Sequence, residues 1–423
     1  MKLHVLTLFI SLVIPLSSPA AEWWEALGDT LLDSLETEAL AANYDLDAAM
    51  RRVNIAQSNL AAARAAYYPT VGISAGWGKE GRNEPSAWSL GANMSWEIDL
   101  FGRVAATSKE RKAQIRASRA DLEGSRLSVA ASVAQAYIDL RSYQAQRTLA
   151  QRQAEDQKKV ADMVQARYDA GLSDRMEVAQ SLTVYYSTTA SIPPLQTSIQ
   201  QSVTALAVLL AVQPSELAPR LLAVDSLPEP SAVILPEEIP ADDIRERPDL
   251  IAAAAQIDAA AAAVGIAKKE YLPSLSLTGT ISTSHHSLNK LFTDESFDYS
   301  IAPTLSWTVF DGLARRAGVN SARENLEIAV DQYNQALLNG YCEVRNALDG
   351  YANTLQTIDL LQQTVKQSEI ALDKSISLYK LDLTNYTSVM QNQISLLTYR
   401  TQLIRNRAGI LDAFVNFHKA VGR

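Results

Sequence analysis

The chain contains itself twice. Tyr67-Tyr68-Pro69-Thr70 returns as Tyr271-Leu272-Pro273-Ser274, and Asp45-Leu46 returns as Asp249-Leu250, both at an offset of 204 residues. Further on, Trp96 matches Trp307, Val133 matches Val344, Ala136 matches Ala347, Tyr168 matches Tyr379 and Gln180 matches Gln391, all at an offset of 211. The second copy has therefore gained seven residues between Pro273 and Trp307. A repeat of this size restricts the fold more than composition does, because whatever one half builds the other builds again.

Each half reads as a short helix, two strands, a very long helix, a turn and a returning helix. From Trp88 to Leu100 apolar residues alternate with Ser89, Gly91, Asn93, Ser95, Glu97 and Asp99, which gives one apolar and one polar face. The same parity runs from Phe297 to Val309, with weaker versions in the partners around Ile73 and Leu277. These runs reach the roughly 9 to 11 tilted residues that cross a bilayer, and Trp88 and Trp96 suit an interfacial aromatic girdle. Four strands cannot close a barrel, and an open sheet edge is not tolerated in lipid. Several chains must then share one barrel; geometry alone leaves open two, three or more.

From Arg103 to Ala170 there is no proline and one glycine, Gly124, in a composition of strong helix formers. About 65 such residues make a rod of about 100 Å, and the second half repeats it from Leu313 to Leu381. Val129, Val133, Ala136, Tyr137 and Leu140 follow helical spacing, as do Val344, Ala347, Leu348 and Tyr351. The first rod should end at Gly171 in the left-handed C′ position, with Ser173 or Asp174 capping the next helix. The second turn, around Asp382-Leu383-Thr384-Asn385, is less plainly marked. Pro193-Pro194 should kink or end the first return helix. Seven of the fifteen prolines fall between Pro214 and Pro248, which reads as a mostly irregular connector.

The N-terminus has the layout of a secretory signal peptide: Lys2, an apolar run from Leu3 to Leu16, and small residues leading to cleavage after Ala20 or Ala21. Cys342 is the only cysteine and lies far from that site, so neither N-terminal lipidation nor an internal disulfide is expected. No comparable apolar run follows, and no helical membrane span is expected. The net charge of −9 excludes the clustered basic surface of a nucleic-acid binder. No catalytic constellation, phosphate loop or cofactor motif is present, and the adjacent His285-His286 pair lacks the partners a metal site needs. Glu97 and Asp99 are expected to line an aqueous lumen, since strand parity sets them opposite Trp96 and Ile98.

Arg245-Glu246-Arg247-Pro248-Asp249-Leu250, Tyr271-Leu272-Pro273, Leu305-Ser306-Trp307 leading into Phe310-Asp311-Gly312, the matching Trp96-to-Arg103 segment and the tip Arg167-to-Leu172 stand in an order that resembles the TolC-like outer membrane factors. The resemblance covers essentially the whole mature chain. It implies a mainly α fold with a membrane β-barrel portion, in which a homotrimer pools four strands per protomer into a twelve-stranded barrel. The corresponding division is a signal peptide at 1–20, a first repeat at 21–212, a connector at 213–244 and a second repeat at 245–423. It further implies a passive periplasm-spanning duct in the outer membrane that serves an inner-membrane pump of RND, MFS or ABC type through a periplasmic membrane-fusion adaptor. Adaptor-facing tips then fall on Gly171, Leu172 and Ser173 and on Asp382, Leu383 and Thr384. The entrance falls on Tyr168, Asp174, Glu177, Tyr379, Asp382, Ser388 and Gln391. The family's acidic residues inside the second tip are replaced here by Ser388 and Gln391, so Asp174, Glu177 and Asp382 are the expected substitutes. A duct for type I protein secretion, and a non-conducting adhesin or scaffold, remain as alternative functions.

Overall fold

The computed structural model describes residues 23–79, 85–223, 227, 228, 235 and 244–422. The signal-peptide and cleavage expectations, and most of the connector, lie outside those residues. Two compact units are interleaved along the chain: Met1–Asn43, Leu127–Ile239 and Glu343–Arg423 form one, and Tyr44–Arg126 and Pro240–Cys342 the other.

The second unit holds all the strands among the described residues: β1 (Thr70–Gly78), β2 (Ala87–Ile98), β3 (Ser274–His285) and β4 (Phe297–Ser306). They form one antiparallel sheet in the order β1-β2-β3-β4, with β1 and β4 as unpaired edges. Register keeps parity across the sheet, as in the line Ile73, Ala92, Ile281, Tyr299 and the neighbouring line Ser74, Gly91, Ser282, Asp298. The strands end earlier than alternation suggests. Leu100 and Asp99 lie beyond β2, and Trp307, Thr308 and Val309 lie beyond β4. Helix capping takes over there: the Asp99 carboxylate accepts from the Ala105 N–H at 3.2 Å, and Asp311 accepts from the N–H groups of Leu313 and Arg315 at 3.1 Å each.

Helix α2 (Tyr44–Ala65) packs Ala49 and Val53 on Leu122 of α3 (Arg103–Asp169). A later helix, Pro248–Lys269, is long and apolar enough to cross a membrane by length and composition alone, with mean hydropathy 1.8. Its apolarity comes from alanine. Ala252, Ala255, Ala259 and Ala262 are buried at helical spacing, and Asp258 is ion-paired to Arg116 of α3 at 2.5 Å, so it is a close-packed partner of the rod. Ahead of it Arg247 chelates Asp249 at 3.0 and 2.9 Å. Pro248 and Arg247 lie against Gly124 and Gly340, where an added Cβ would meet them at 3.5 and 3.2 Å. A Cβ at Gly340 would crowd the Arg247 side chain, whereas one at Gly124 would make an ordinary contact with Pro248.

The first unit begins with a 3-10 turn, Trp23–Leu27, whose Trp23 ring stacks on His418. Helix α1 (Thr30–Ala42) is capped by Asp29, whose other carboxylate oxygen accepts from the buried Tyr137 hydroxyl at 2.5 Å. The return segment is two helices, α4 (Arg175–Ala190) and α5 (Ile192–Leu209), because the proline pair is accommodated only in the first turn of a new helix. The connector is not wholly irregular: α6 (Pro214–Leu222) starts on a proline at its first turn and buries Leu217 and Leu221. Arg141 of α3 is wholly buried and donates to the Leu221 carbonyl at 3.0 Å, which ties α6 to the rod. With the helix Pro248–Lys269 as α7, the rod of the second repeat is α8 (Ala314–Lys380) and its return helix is α9 (Tyr386–Val421). Both rods have 67 residues, about 100 Å each. Val133, Tyr137 and Leu140 of the α3 stripe are buried, whereas on α8 only Val344 of the matching stripe is, and Ala347, Leu348 and Tyr351 remain partly open.

Candidate functional site

At the sheet the repeat is visible in single hydrogen bonds. Trp96 Nε1 donates to the Tyr67 carbonyl and Trp307 Nε1 to the Tyr271 carbonyl, each at 3.0 Å. Each half thus pins an indole to the turn ahead of its own hairpin. Glu97 and Asp99 do not act as a pair. Both Glu97 oxygens accept from Arg103 Nη2 at 2.7 Å, while Asp99 caps α3. A cleft of about 260 Å³ beside them is lined by Glu97, Arg103, Lys269 and Ser306 among others. His285 accepts from the Ser287 N–H at 2.9 Å and His286 reaches the Ser86 carbonyl at 3.3 Å; among the described residues no cluster of three metal-type ligands occurs.

The two tips are built alike. Leu172 N–H donates to the Arg167 carbonyl at 2.8 Å and Gly171 N–H to Tyr168 at 2.9 Å; at the 211-residue offset, Leu383 donates to Leu378 at 3.0 Å and Asp382 to Tyr379 at 3.1 Å. Both rods close with the same left-handed residue, Gly171 at φ +75° and Asp382 at φ +65°. A side chain in this conformation costs about 1 kcal/mol or more, and Asp382 offsets it with an ion pair to Arg167 at 2.7 Å. The helices that follow are capped alike too: Asp174 accepts from Glu177 N–H at 2.8 Å, and Asn385 from Ser388 N–H at 3.3 Å. Ser388 is therefore the repeat counterpart of Glu177. Gln391 lies one turn on, its amide 3.5 Å from Ser395 Oγ.

Glu177 joins the tips. Its Oε2 accepts from Ser173 Oγ at 2.5 Å and from the Tyr379 hydroxyl at 2.7 Å, and its Oε1 accepts from the Tyr386 N–H at 3.3 Å. Burial is the largest single influence and pushes its pKa up. The three donors, with Arg167 nearby, together outweigh it and hold the carboxyl below its ordinary value. Tyr379 is buried to 2% exposure and meets Tyr386 edge-on at 5.7 Å within a cluster that includes Val164 and Val389. Burial, with the neighbouring Tyr379 and Glu177, pushes the Tyr386 hydroxyl up to about 12. Tyr168, the repeat relative of Tyr379, stays exposed, so the two matched tyrosines do different work. Arg167 completes the joint: its guanidinium lies 4.8 Å from the Tyr379 ring centroid and donates to the carbonyls of Lys380 and Leu172 at 3.3 and 3.2 Å.

The expected trio of free acidic residues is thus otherwise engaged: Asp174 caps a helix, Glu177 bridges, and Asp382 pairs with Arg167. Gly171, Leu172, Leu383 and Asp382 are left exposed at the apices, with Ser173 and Thr384 partly covered. The sequence reading did not single out Arg167 and Tyr386 as site residues. Alignment of the repeats could have flagged Arg167, since Leu378 occupies the matching position.

One unit thus holds a sheet with one apolar and one polar face, and the other holds two matched helical tips. The chain belongs to the outer membrane efflux protein family, whose model matches residues 35–212 and 241–423. It is 26% identical to nodulation protein T of Rhizobium leguminosarum bv. trifolii over 391 residues, 90% of this chain and 83% of that protein. It is 26% identical over 425 residues to the pyoverdine export outer membrane protein OpmQ of Pseudomonas aeruginosa, covering 96% and 88%. The solved outer-membrane channel OprN superposes with a TM-score of 0.86 at 26% identity, over 95% of this chain and 92% of that one. The family and fold are those of channels, not enzymes.

Proposed function

We propose that this chain is the passive exit duct of a tripartite efflux system, working as a homotrimer. The observation that carries this reading is the four-stranded sheet with two open edges and one exposed apolar face. In lipid both edges need partners, and β1 of one copy can pair with β4 of the next. Three copies make twelve strands, two from each repeat at 21–212 and 245–423. The apolar face meets lipid and the other face lines water.

The tips at Gly171, Leu172 and Ser173 and at Asp382, Leu383 and Thr384 are the docking points for a periplasmic adaptor, which couples the duct to an inner-membrane pump. Exposed Leu172 and Leu383 beside charged Asp382 suit such a contact. The Glu177–Tyr379 joint holds the two hairpins of each chain together, so opening the entrance requires breaking it or moving both as one body. The cargo class is small toxic compounds, drugs or metals, and the pyoverdine export named for OpmQ supports a small solute over a secreted protein. The signal peptide is removed and no lipid is attached.

The test is extraction of outer membranes in detergent, followed by cross-linking and planar-bilayer recording. A trimer that conducts is expected. A monomer, or a trimer without current, would leave the adhesin or scaffold reading in its place.

A further inference from the structure

The polar face of the sheet is nearly free of charge. Along all four strands it presents Gly, Ser, Thr, Ala and Asn, and only two ionisable residues, Glu97 on β2 and Asp298 on β4. They sit at opposite ends. Glu97 is at the helix end and is neutralised by Arg103, which donates to both its oxygens. Asp298 is the second residue of β4, next to the loop that joins β3 to β4, and has no hydrogen-bond or ion-pair partner among the described residues. The sequence joining β1 to β2 carries Lys79, Glu80, Arg82 and Glu84, which cancel, and that joining β3 to β4 carries Lys290, Asp294 and Glu295, which leave one further negative charge.

We infer that Asp298 sets the ion preference of the outer mouth of the duct, giving it a bias towards cations. The inference rests on the trimeric duct reading, in which three copies place three uncompensated carboxylates on the inner wall. Twelve strands about 4.8 Å apart, tilted by about 40°, enclose a barrel of roughly 12 Å radius. In water three charges at that distance enrich monovalent cations on the axis roughly threefold when the Debye length is about 30 Å, near 10 mM salt. At 1 M salt the Debye length is about 3 Å and the effect vanishes. The hydroxyl and glycine wall around the ring carries nothing to oppose it. At the tips, by contrast, each candidate carboxylate is already satisfied within its own chain.

The experiment is single-channel recording of the full trimer inserted with known orientation, comparing the parent with Asp298→Asn, Asp298→Ser and Asp298→Glu. At about 10 mM salt, cation current entering from the loop side should fall roughly threefold in the Asn and Ser variants, persist in the Glu variant, and be equal in all at about 1 M. Heat-modifiable gel mobility verifies that each variant is folded; the Ser variant, which copies its neighbours on this face, covers a failure of the Asn one. Parent-like low-salt current in a folded Asn or Ser variant overturns the inference. No channel at all in the parent overturns the duct reading instead.

Discussion

Glu177 is the residue on which both tips depend, and its environment gives the joint a pH sense. Its folded-state pKa is held below the ordinary 4.5, so the stabilisation is fully present above that value and is lost as pH falls through the lowered one. Acidification below about 4.5 should therefore loosen the entrance and raise conductance in the parent, whereas Glu177→Gln should flatten that dependence. Tyr379→Phe removes one donor to a charged acceptor, a loss of about 1.5 to 3 kcal/mol in the joint. It should raise open probability at neutral pH and speed hydrogen exchange at the Tyr386 amide. Unchanged conductance and exchange would mean that the joint does not restrain the entrance. The sequence carried both residues in plain view, but not their meeting. Glu177 and Tyr379 are 202 positions apart, and repeat alignment pairs Glu177 with Ser388 instead.

Among the elements, the strands were the most legible, because alternation with period two reports directly on two chemically different faces. Their ends were not. Asp99 and Asp311 continue the alternation as letters while acting as helix caps, and pattern alone cannot separate a last strand residue from a first cap. The faces themselves yield a test. Leu90→Arg or Leu305→Arg places a charge on the apolar face and should cost about 2 to 4 kcal/mol of barrel stability near the bilayer centre. Ser95→Arg, on the opposite face, should cost much less. Heat-modifiable mobility after graded urea treatment compares them, and equal loss in all three would contradict the assignment of faces. The alanine-rich helix Pro248–Lys269 shows how little composition alone says about environment. Its composition passes for a membrane span, yet its buried small side chains and the Asp258–Arg116 pair mark it as a helix packed on α3.

At the scale of the molecule, the chain leaves an apolar stripe of one rod uncovered. Leu338, Tyr341, Leu355 and Leu360 of α8 are exposed, each by more than 40%, and a rod with such a face in water needs a neighbour. The proposed trimer supplies one. Leu338→Asp combined with Leu360→Asp should shift the assembly towards monomer on native gels, while Gln362→Asp, an exposed polar position on the same helix, should leave it trimeric. Retention of the full trimer in the double variant would place the subunit contact elsewhere on the rods.

By itself the sequence determined the repeat, the strand parity and the proline-free rods, since each is a local or periodic property written in neighbouring residues. It also marked the first tip through Gly171. Only tertiary structure decided that Asp382 serves as the second tip's glycine, that Arg167 makes this tolerable, that Asp99 belongs to a helix and that Glu177 is a bridge. The roles of Asp382, Arg167 and Glu177 depend on which groups approach within hydrogen-bonding distance across some two hundred residues of chain, and no periodicity encodes that approach. A side chain's charge is legible from its letter, but whether the charge is free or already spoken for is set by the partner the fold brings to it.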